Sequence, residues 1–369
     1  MNKVMSIHYL RGLAALAVVA FHLRPALDNI YAQKNLGQML FSNGNAGVDL
    51  FFIISGFIIT LSTAKENASP KSEFLIKRFF RIYPVLILCL AGMFLMTKNT
   101  NIYEFIKSAI PLHRDYSSEA PYFGYNPLSP AWTLTFEIYF YMIFFVSLSI
   151  SHKYRTLICS ILLVLIVLST QLYFNGHFDF SGNSAAIITE QNPFMSFLRF
   201  SSSPMLLEFV IGMILYEIRN VFKHIPHPNI IAFALLSFAI CAYCSGFRSG
   251  HGPLNYGLWS LSALLSALLY EANNDIKFNR TFSFLGDISY SLYMVHVLVI
   301  TLFIKHLQTF AIYAQTSGFS RFIFFISLSI ITSYVMYILI EKPSIKAGRI
   351  LLSKRHQQAN SLELKGNES

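Results

Sequence analysis

The sequence predicts an all-α fold, a polytopic membrane bundle of about ten transmembrane helices. Three observations predict it. Of 369 residues, 54% are hydrophobic and only 12% are charged, about half the charged fraction of a soluble domain. The mean hydropathy is +0.51. The apolar residues also come in blocks close to the roughly 20 residues that a spanning helix needs. No room is left for a large soluble domain. The expected organisation is a transmembrane domain over residues 1–345 and a polar tail, 346–369, expected to be disordered. The net charge of +10 would suggest nucleic acid in a soluble protein. In a membrane protein the positive-inside rule accounts for it, so the expected partner is the lipid bilayer and not nucleic acid.

The candidate spans follow in order. The first, 4–23, contains Arg11 and His22. Ionisable residues inside a span are costly and are functional candidates by default. Their 11-residue spacing is close to three helical turns, so the two side chains share one face, roughly 16 Å apart along the axis. Arg11 interrupts the apolar run and no clean small-residue cleavage site follows, so the segment is expected to persist as the first helix. The second span, 46–63, carries Asp49 near its start, in AGVDLFFIISGF. The third, 82–97, opens with Arg78 and Arg81 in RFFR, three apart and so on one face. Arginine binds phosphate bidentately and a helix N-terminus adds a favourable dipole. The plain alternative is that both arginines simply obey the positive-inside rule.

The fourth span, 133–150, follows Trp132 and has Glu137 about one turn in; the fifth covers 155–174. The sixth, 204–218, is short and bears Glu208, a buried-acid candidate that could simply pair with an arginine. The seventh, 229–246, holds Cys241 and Cys244 as C-x-x-C, with no second pair and no histidine at ligand spacing. Together with Cys89 and Cys159 they are expected to be small buried hydrophobes. The eighth covers 254–270. The ninth, 287–305, opens with SYSLYMVH, where Ser289, Tyr293 and His296 fall at i, i+4 and i+7. Such a polar stripe should face the bundle interior or a water-filled cavity, or else serve interhelical hydrogen bonding. The tenth, 321–340, ends at Glu341, beside Lys342 at the expected membrane edge.

An even number of spans puts both termini on one side. With cytoplasmic termini, 18 of the 28 lysines and arginines lie inside, nine lie outside and Arg11 lies within a span. That bias favours a multi-pass protein with both termini cytoplasmic. The long segments 98–132 and 175–203 are then extracytoplasmic, and long loops are often functional. His113, His177 and His251 are assigned to loops and are not singled out.

This topology puts His22, Asp49 and Glu137 at similar depth near the outer ends of three helices. A base oriented by a carboxylate is the arrangement of general-base catalysis on a hydroxyl. Taken singly, each could be an interfacial residue reaching for water. There is no phosphate-binding glycine loop, no GxGxxG and no metal-ligand cluster, so no metal is expected.

At these residues the chain resembles acyltransferase family 3, the membrane proteins that O-acylate surface polysaccharides, O-antigens and Nod factors. The matching pieces are Arg11 with His22, Gly47 to Ile59, RFFRIYP from Arg78 to Pro84, and WTLTFEIYFY from Trp132 to Tyr141. Further pieces are Leu207 to Leu215, Ser289 to His296, and Glu341 to Pro343. The resemblance covers nearly the whole chain, without the fused SGNH domain that some members carry. It implies an acyl-CoA donor, usually acetyl-CoA, taken from the cytoplasm, and His22 as the essential histidine. Arg11, Arg78 and Arg81, with Ser289 and Tyr293, are then expected at the donor. Trp132 and His296 are expected at the acceptor, a glycan or glycolipid. Asp49 or Glu137 would orient His22, which would deprotonate the acceptor or first take the acyl group itself. The alternative from another class is a transporter or flippase of a glycolipid or small polar substrate. The acceptor's identity, the acyl length and the oligomeric state are not legible.

Overall fold

The protein is described here by a computed structural model covering residues 4–65, 70–110, 118–123, 126–189 and 192–366. His113 lies outside them. Every regular element among the described residues is helical. A helix stands at each of the ten expected positions: α1 Met5–Leu23, α2 Gly47–Ser62, α3 Pro70–Thr97, α4 Trp132–Ile150, α5 Arg155–Asn175, α6 Leu206–Ile218, α7 Pro228–Ser245, α8 Tyr256–Asn273, α9 Arg280–His306 and α10 Gly318–Met336. Eight segments among the described residues are long and apolar enough to cross a membrane. The two helices that fall short are α6 and α8, and both are enclosed by neighbours. The chain is a multi-pass membrane protein.

Two boundaries differ from expectation in ways that matter. α3 begins at Pro70, whose fixed φ suits a first helical position. Arg78 and Arg81 therefore lie more than two turns inside the helix, and its N-terminus contributes nothing to them. α9 begins at Arg280, because the Asn279 side chain accepts the Phe282 N–H at 3.1 Å and caps the end. SYSLYMVH is thus mid-helix.

Small residues set the central packing. A Cβ on Gly12 of α1 would meet the Gly286 backbone of α9 at 2.7 Å, and one on Gly212 of α6 would meet the Ile53 carbonyl of α2 at 1.9 Å. Only glycine lets these pairs approach backbone to backbone, as membrane helices commonly do. α1 packs most extensively on α9, α2 on α6, and α7 on α8. The core between them is aromatic, with Phe52, Phe136, Phe140 and Phe209 fully packed.

Two expectations need correction. Cys89 and Cys159 are buried, but Cys241 and Cys244 are exposed. α7 is peripheral and touches the bundle mainly through Ala232, Ala239 and Ala242, so its cysteines face outward. The tail from 346, expected to be disordered, is helical as far as 366, within a further helix, α11 Lys342–Gly366. Its order comes from packing on α3, where Ser344 Oγ donates to the Phe80 carbonyl at 2.8 Å and Gly348 lies against the Phe80 ring. Between α10 and α11 the backbone winds through a π turn, Tyr337–Glu341, in which the Lys342 N–H reaches five residues back to the Tyr337 carbonyl.

Candidate active site

Two cavities lie along α1, one at the Arg11 end and one at the His22 end. The first, about 440 Å³, has Arg11, Lys77, Arg78, Arg81 and Arg349 in its walls, with Glu137, Tyr141, Tyr290 and Tyr293. The second, about 400 Å³, is lined by His22, Asn45, Glu119, Tyr122, Trp132 and Tyr293, among others. Val48 and Tyr293 line both, so the cavities adjoin across these two side chains.

The arginine cavity holds more positive charge than its acids neutralise. Arg81 pairs with Glu341, a fully buried acid that also accepts from Ser291 Oγ at 2.5 Å. Glu341 is therefore enclosed by the bundle rather than exposed at a helix end. The π turn that precedes Lys342 directs it inward. Lys77 pairs with Glu73 one turn away. Arg78 spends one nitrogen on Ser62 Oγ at 3.2 Å, while its Nε is buried without a hydrogen bond. Arg11 has no ion pair or hydrogen bond among the described residues, though it feels the charges of Glu341 and Glu137. Glu137 accepts from Ser55 Oγ at 3.1 Å and from the Tyr141 hydroxyl. Unsatisfied buried guanidinium groups are costly, and a cavity that keeps several of them is suited to an anion.

The histidine cavity is organised by neutral hydrogen bonds. His296 is fully buried on α9 behind His22. Its Nδ1 faces the Leu292 carbonyl at 3.1 Å, and its Nε2 stands 3.3 Å from His22 Nδ1. His22 Nδ1 also faces the Val18 carbonyl at 2.9 Å. With both rings neutral, this network assigns the protons. Carbonyls only accept, so each Nδ1 carries a hydrogen and His296 Nε2 accepts from His22. His22 Nε2 then keeps its lone pair.

Neither expected carboxylate orients His22. Asp49 is fully buried, but its partner is His251: Nδ1 donates to Oδ2 at 2.7 Å, and the Gly252 N–H donates to Oδ1 at 2.9 Å. Asn45 Nδ2 in turn donates to His251 Nε2 at 2.7 Å. Glu208 is buried beside Asp49 and pairs with no arginine among the described residues. Glu137 sits farther along α4 than Trp132, about a turn and a half down its axis, and opens to the arginine cavity instead. Glu137 thus lines a different cavity from His22, while Asp49 is taken up by His251.

Of the other expected residues, Arg11, Arg78, Arg81 and Tyr293 line the arginine cavity and Trp132 the histidine cavity. Ser289 lines neither, because its hydroxyl is turned back to the Gly286 carbonyl of its own helix at 2.9 Å. Sequence reasoning missed Asn45, Tyr122, His251 and Arg349. Only Asn45 carried a signal, one helical turn before Asp49. His251 packs edge-on to Trp132, ring centroids 5.6 Å apart, and so backs the cavity wall. Among the described residues no group of three or more histidines, cysteines or acids could hold a metal ion.

A family model described as an acyltransferase domain matches residues 5–339. The exopolysaccharide production protein ExoZ of Rhizobium meliloti (strain 1021) is 26% identical over 321 residues, covering 84% of this chain and 92% of that protein. A Staphylococcus aureus (strain COL) protein named "Putative O-acetyltransferase" is 26% identical over 391 residues, covering 94% of this chain but only 58% of its own length. Nodulation protein 10 of Rhizobium leguminosarum bv. viciae is 24% identical over 276 residues, 69% of this chain and 71% of that protein. No solved structure matches.

Proposed function

The chain belongs to the acyltransferase family whose model it matches, and from that premise we propose that it is a membrane O-acyltransferase moving an acetyl group from acetyl-CoA to a hydroxyl of a surface or exported glycan. The observation that carries this reading is the pair of adjoining cavities, one rich in unpaired arginine and one presenting a lone-pair imidazole nitrogen. The names of the relatives, an exopolysaccharide production protein and an O-acetyltransferase, support the acceptor class and the acyl group.

The donor's phosphates lie against Arg78, Arg81 and Arg11. Its pantetheine arm runs along α1 past Val48 and Tyr293, over the roughly 16 Å that three turns provide. This brings the thioester to His22. His22 Nε2 removes the proton of the acceptor hydroxyl as that oxygen attacks the thioester carbonyl. The C–S bond breaks, and the imidazolium returns the proton to the leaving thiolate. His296 and the Val18 carbonyl hold the ring in the tautomer that this step needs. In the covalent variant, Nε2 attacks the thioester carbonyl and the C–S bond breaks, releasing the CoA thiolate; the acceptor oxygen then takes the acyl group from Nε2 and gives its proton to that thiolate. Trp132 and Tyr122 offer aromatic faces for a sugar ring. The arginine cavity faces the cytoplasm, where acetyl-CoA is made and where the excess of lysine and arginine lies. The membrane is the bacterial inner membrane, with both termini inside.

The test follows radiolabelled acetyl from acetyl-CoA into the surface glycan of cells carrying the wild-type chain or His22→Ala. The wild type should label the glycan and the variant should lose about a thousandfold in rate. Undiminished labelling with His22→Ala overturns the mechanism. Substrate movement without any acyl incorporation would point to a transporter.

A further inference from the structure

The arginine cavity contains one arginine that neither the motifs nor the mechanism above employs. Arg349 projects into it from α11, a helix whose composition alone read as a polar tail. The placement is fixed by packing. Gly348 touches Phe80 so closely that an added Cβ would stand 3.0 Å from the ring, and Ser344 is hydrogen-bonded to the Phe80 carbonyl. α11 is thereby held against α3 with Ile345, Gly348 and Arg349 on the cavity side.

The cations of this cavity differ in what they have left to offer. Arg81 and Lys77 are neutralised by Glu341 and Glu73. Arg11, Arg78 and Arg349 form no ion pair among the described residues. They also differ in position. Arg11 is on the same face of α1 as His22, Arg78 is mid-helix on α3 at the cavity wall, and Arg349 is exposed at the mouth. A CoA thioester has its groups in a fixed linear order: thioester, pantetheine, pyrophosphate, then the ribose with its 3′-phosphate. With the thioester at His22, the group farthest from it must lie farthest along the cavity. Arg349, exposed on α11, is the free arginine placed to meet the outermost charged group, and Arg78, half-buried in the wall on α3, the one placed to meet the pyrophosphate inside it.

We propose that Arg349 of α11 binds the 3′-phosphate of the donor's adenosine end, while Arg78 binds the pyrophosphate. This rests on the donor being a CoA thioester. It makes α11 part of the donor site and gives the enzyme a means to prefer CoA over carriers that lack the ribose phosphate. A guanidinium matches a phosphate dianion through two parallel hydrogen bonds, which a lysine ammonium cannot reproduce.

The experiment measures equilibrium binding of acetyl-CoA and of 3′-dephospho-acetyl-CoA to the full chain in lipid nanodiscs. Wild type should prefer acetyl-CoA by roughly tenfold or more, the value of a lost charge-assisted contact. Arg349→Ala should abolish that preference while binding the dephospho form as wild type does. Arg349→Lys should restore part of it, which also shows that the fold survives substitution there. Arg78→Ala should weaken both ligands by a similar factor and keep their ratio. The inference is overturned if Arg349→Ala retains the preference, or if it weakens both ligands equally. If wild type binds neither ligand, the CoA donor itself is overturned and this inference with it; if wild type binds both equally, only the 3′-phosphate site is.

Discussion

The two cavities are of similar size, about 440 and 400 Å³, and are built in opposite ways. The arginine cavity is held by charge: Arg81 on Glu341 and Lys77 on Glu73, with further arginines left over. The histidine cavity is held by neutral hydrogen bonds and rings: His22 on His296, Asn45 on His251, and Trp132 against both Tyr122 and His251. Asp49, buried behind its wall next to Glu208, is occupied by His251 and a backbone amide. A site that must attract a polyanion profits from surplus charge. A site where one proton must move at the right nitrogen profits from a fixed tautomer and few competing charges. On the proposed function, binding and chemistry are separated along α1, and substitutions should separate with them.

Apart from His22→Ala, the largest effect should come from Glu341, the buried partner of Arg81. Glu341→Ala leaves Arg81 uncompensated and removes the acceptor of Ser291, and should cost about 3 kcal/mol of stability. Denaturant titration in detergent checks this, and acetyl-CoA binding should fall with it. If stability is unchanged, the cavity is not held by that pair. His296→Ala should come next, lowering the transfer rate by about tenfold, as loss of an orienting partner commonly does, with donor affinity unchanged. His296→Gln should recover much of the rate, because an amide oxygen can still accept the His22 Nδ1–H. A fall in donor affinity in either variant would erase the division between cavities. The smallest effect should be that of Arg78→Ala, which should raise the acetyl-CoA Kd by about fivefold and leave the single-turnover rate at saturation as it was. A slowed rate at saturation would mean that the arginine cavity also takes part in the chemistry.

What the sequence discloses is what lies within one helix. The positions of the ten helices follow from apolar blocks, and the Arg11–His22 axis follows from helical periodicity alone. Arg78 and Arg81 share a cavity because they share a face. What it conceals depends on contacts between distant segments. Asp49 and His251 are 202 residues apart, and nothing in either local pattern marks them as partners. Glu137 looked level with His22 because spans give depth only to within a turn or so, and one turn is the difference between the two cavities. Ser289 has the spacing of a site residue, but a serine in a helix can turn its hydroxyl to its own backbone, and periodicity does not report that choice. Arg349 was invisible because charge and polarity describe a disordered tail and a docked amphipathic helix alike. Gly348 and Ser344, small residues that allow and fasten the docking, are the part of the pattern that distinguishes them.

The π turn at Tyr337–Glu341 works as a phase setting between two helices. Each residue advances an α-helix by about 100°, so a turn that takes one residue more than an α turn rotates everything after it by that angle. Glu341, at the end of the turn, meets Arg81, and Arg349, two turns on, meets the cavity mouth. Both alignments depend on the same offset. Removing a single residue between Tyr337 and Ile340 would leave composition and hydropathy almost untouched, yet it would swing Arg349 about 100° away from the cavity. The timing of the helix, as much as its chemistry, brings the last arginine into the site.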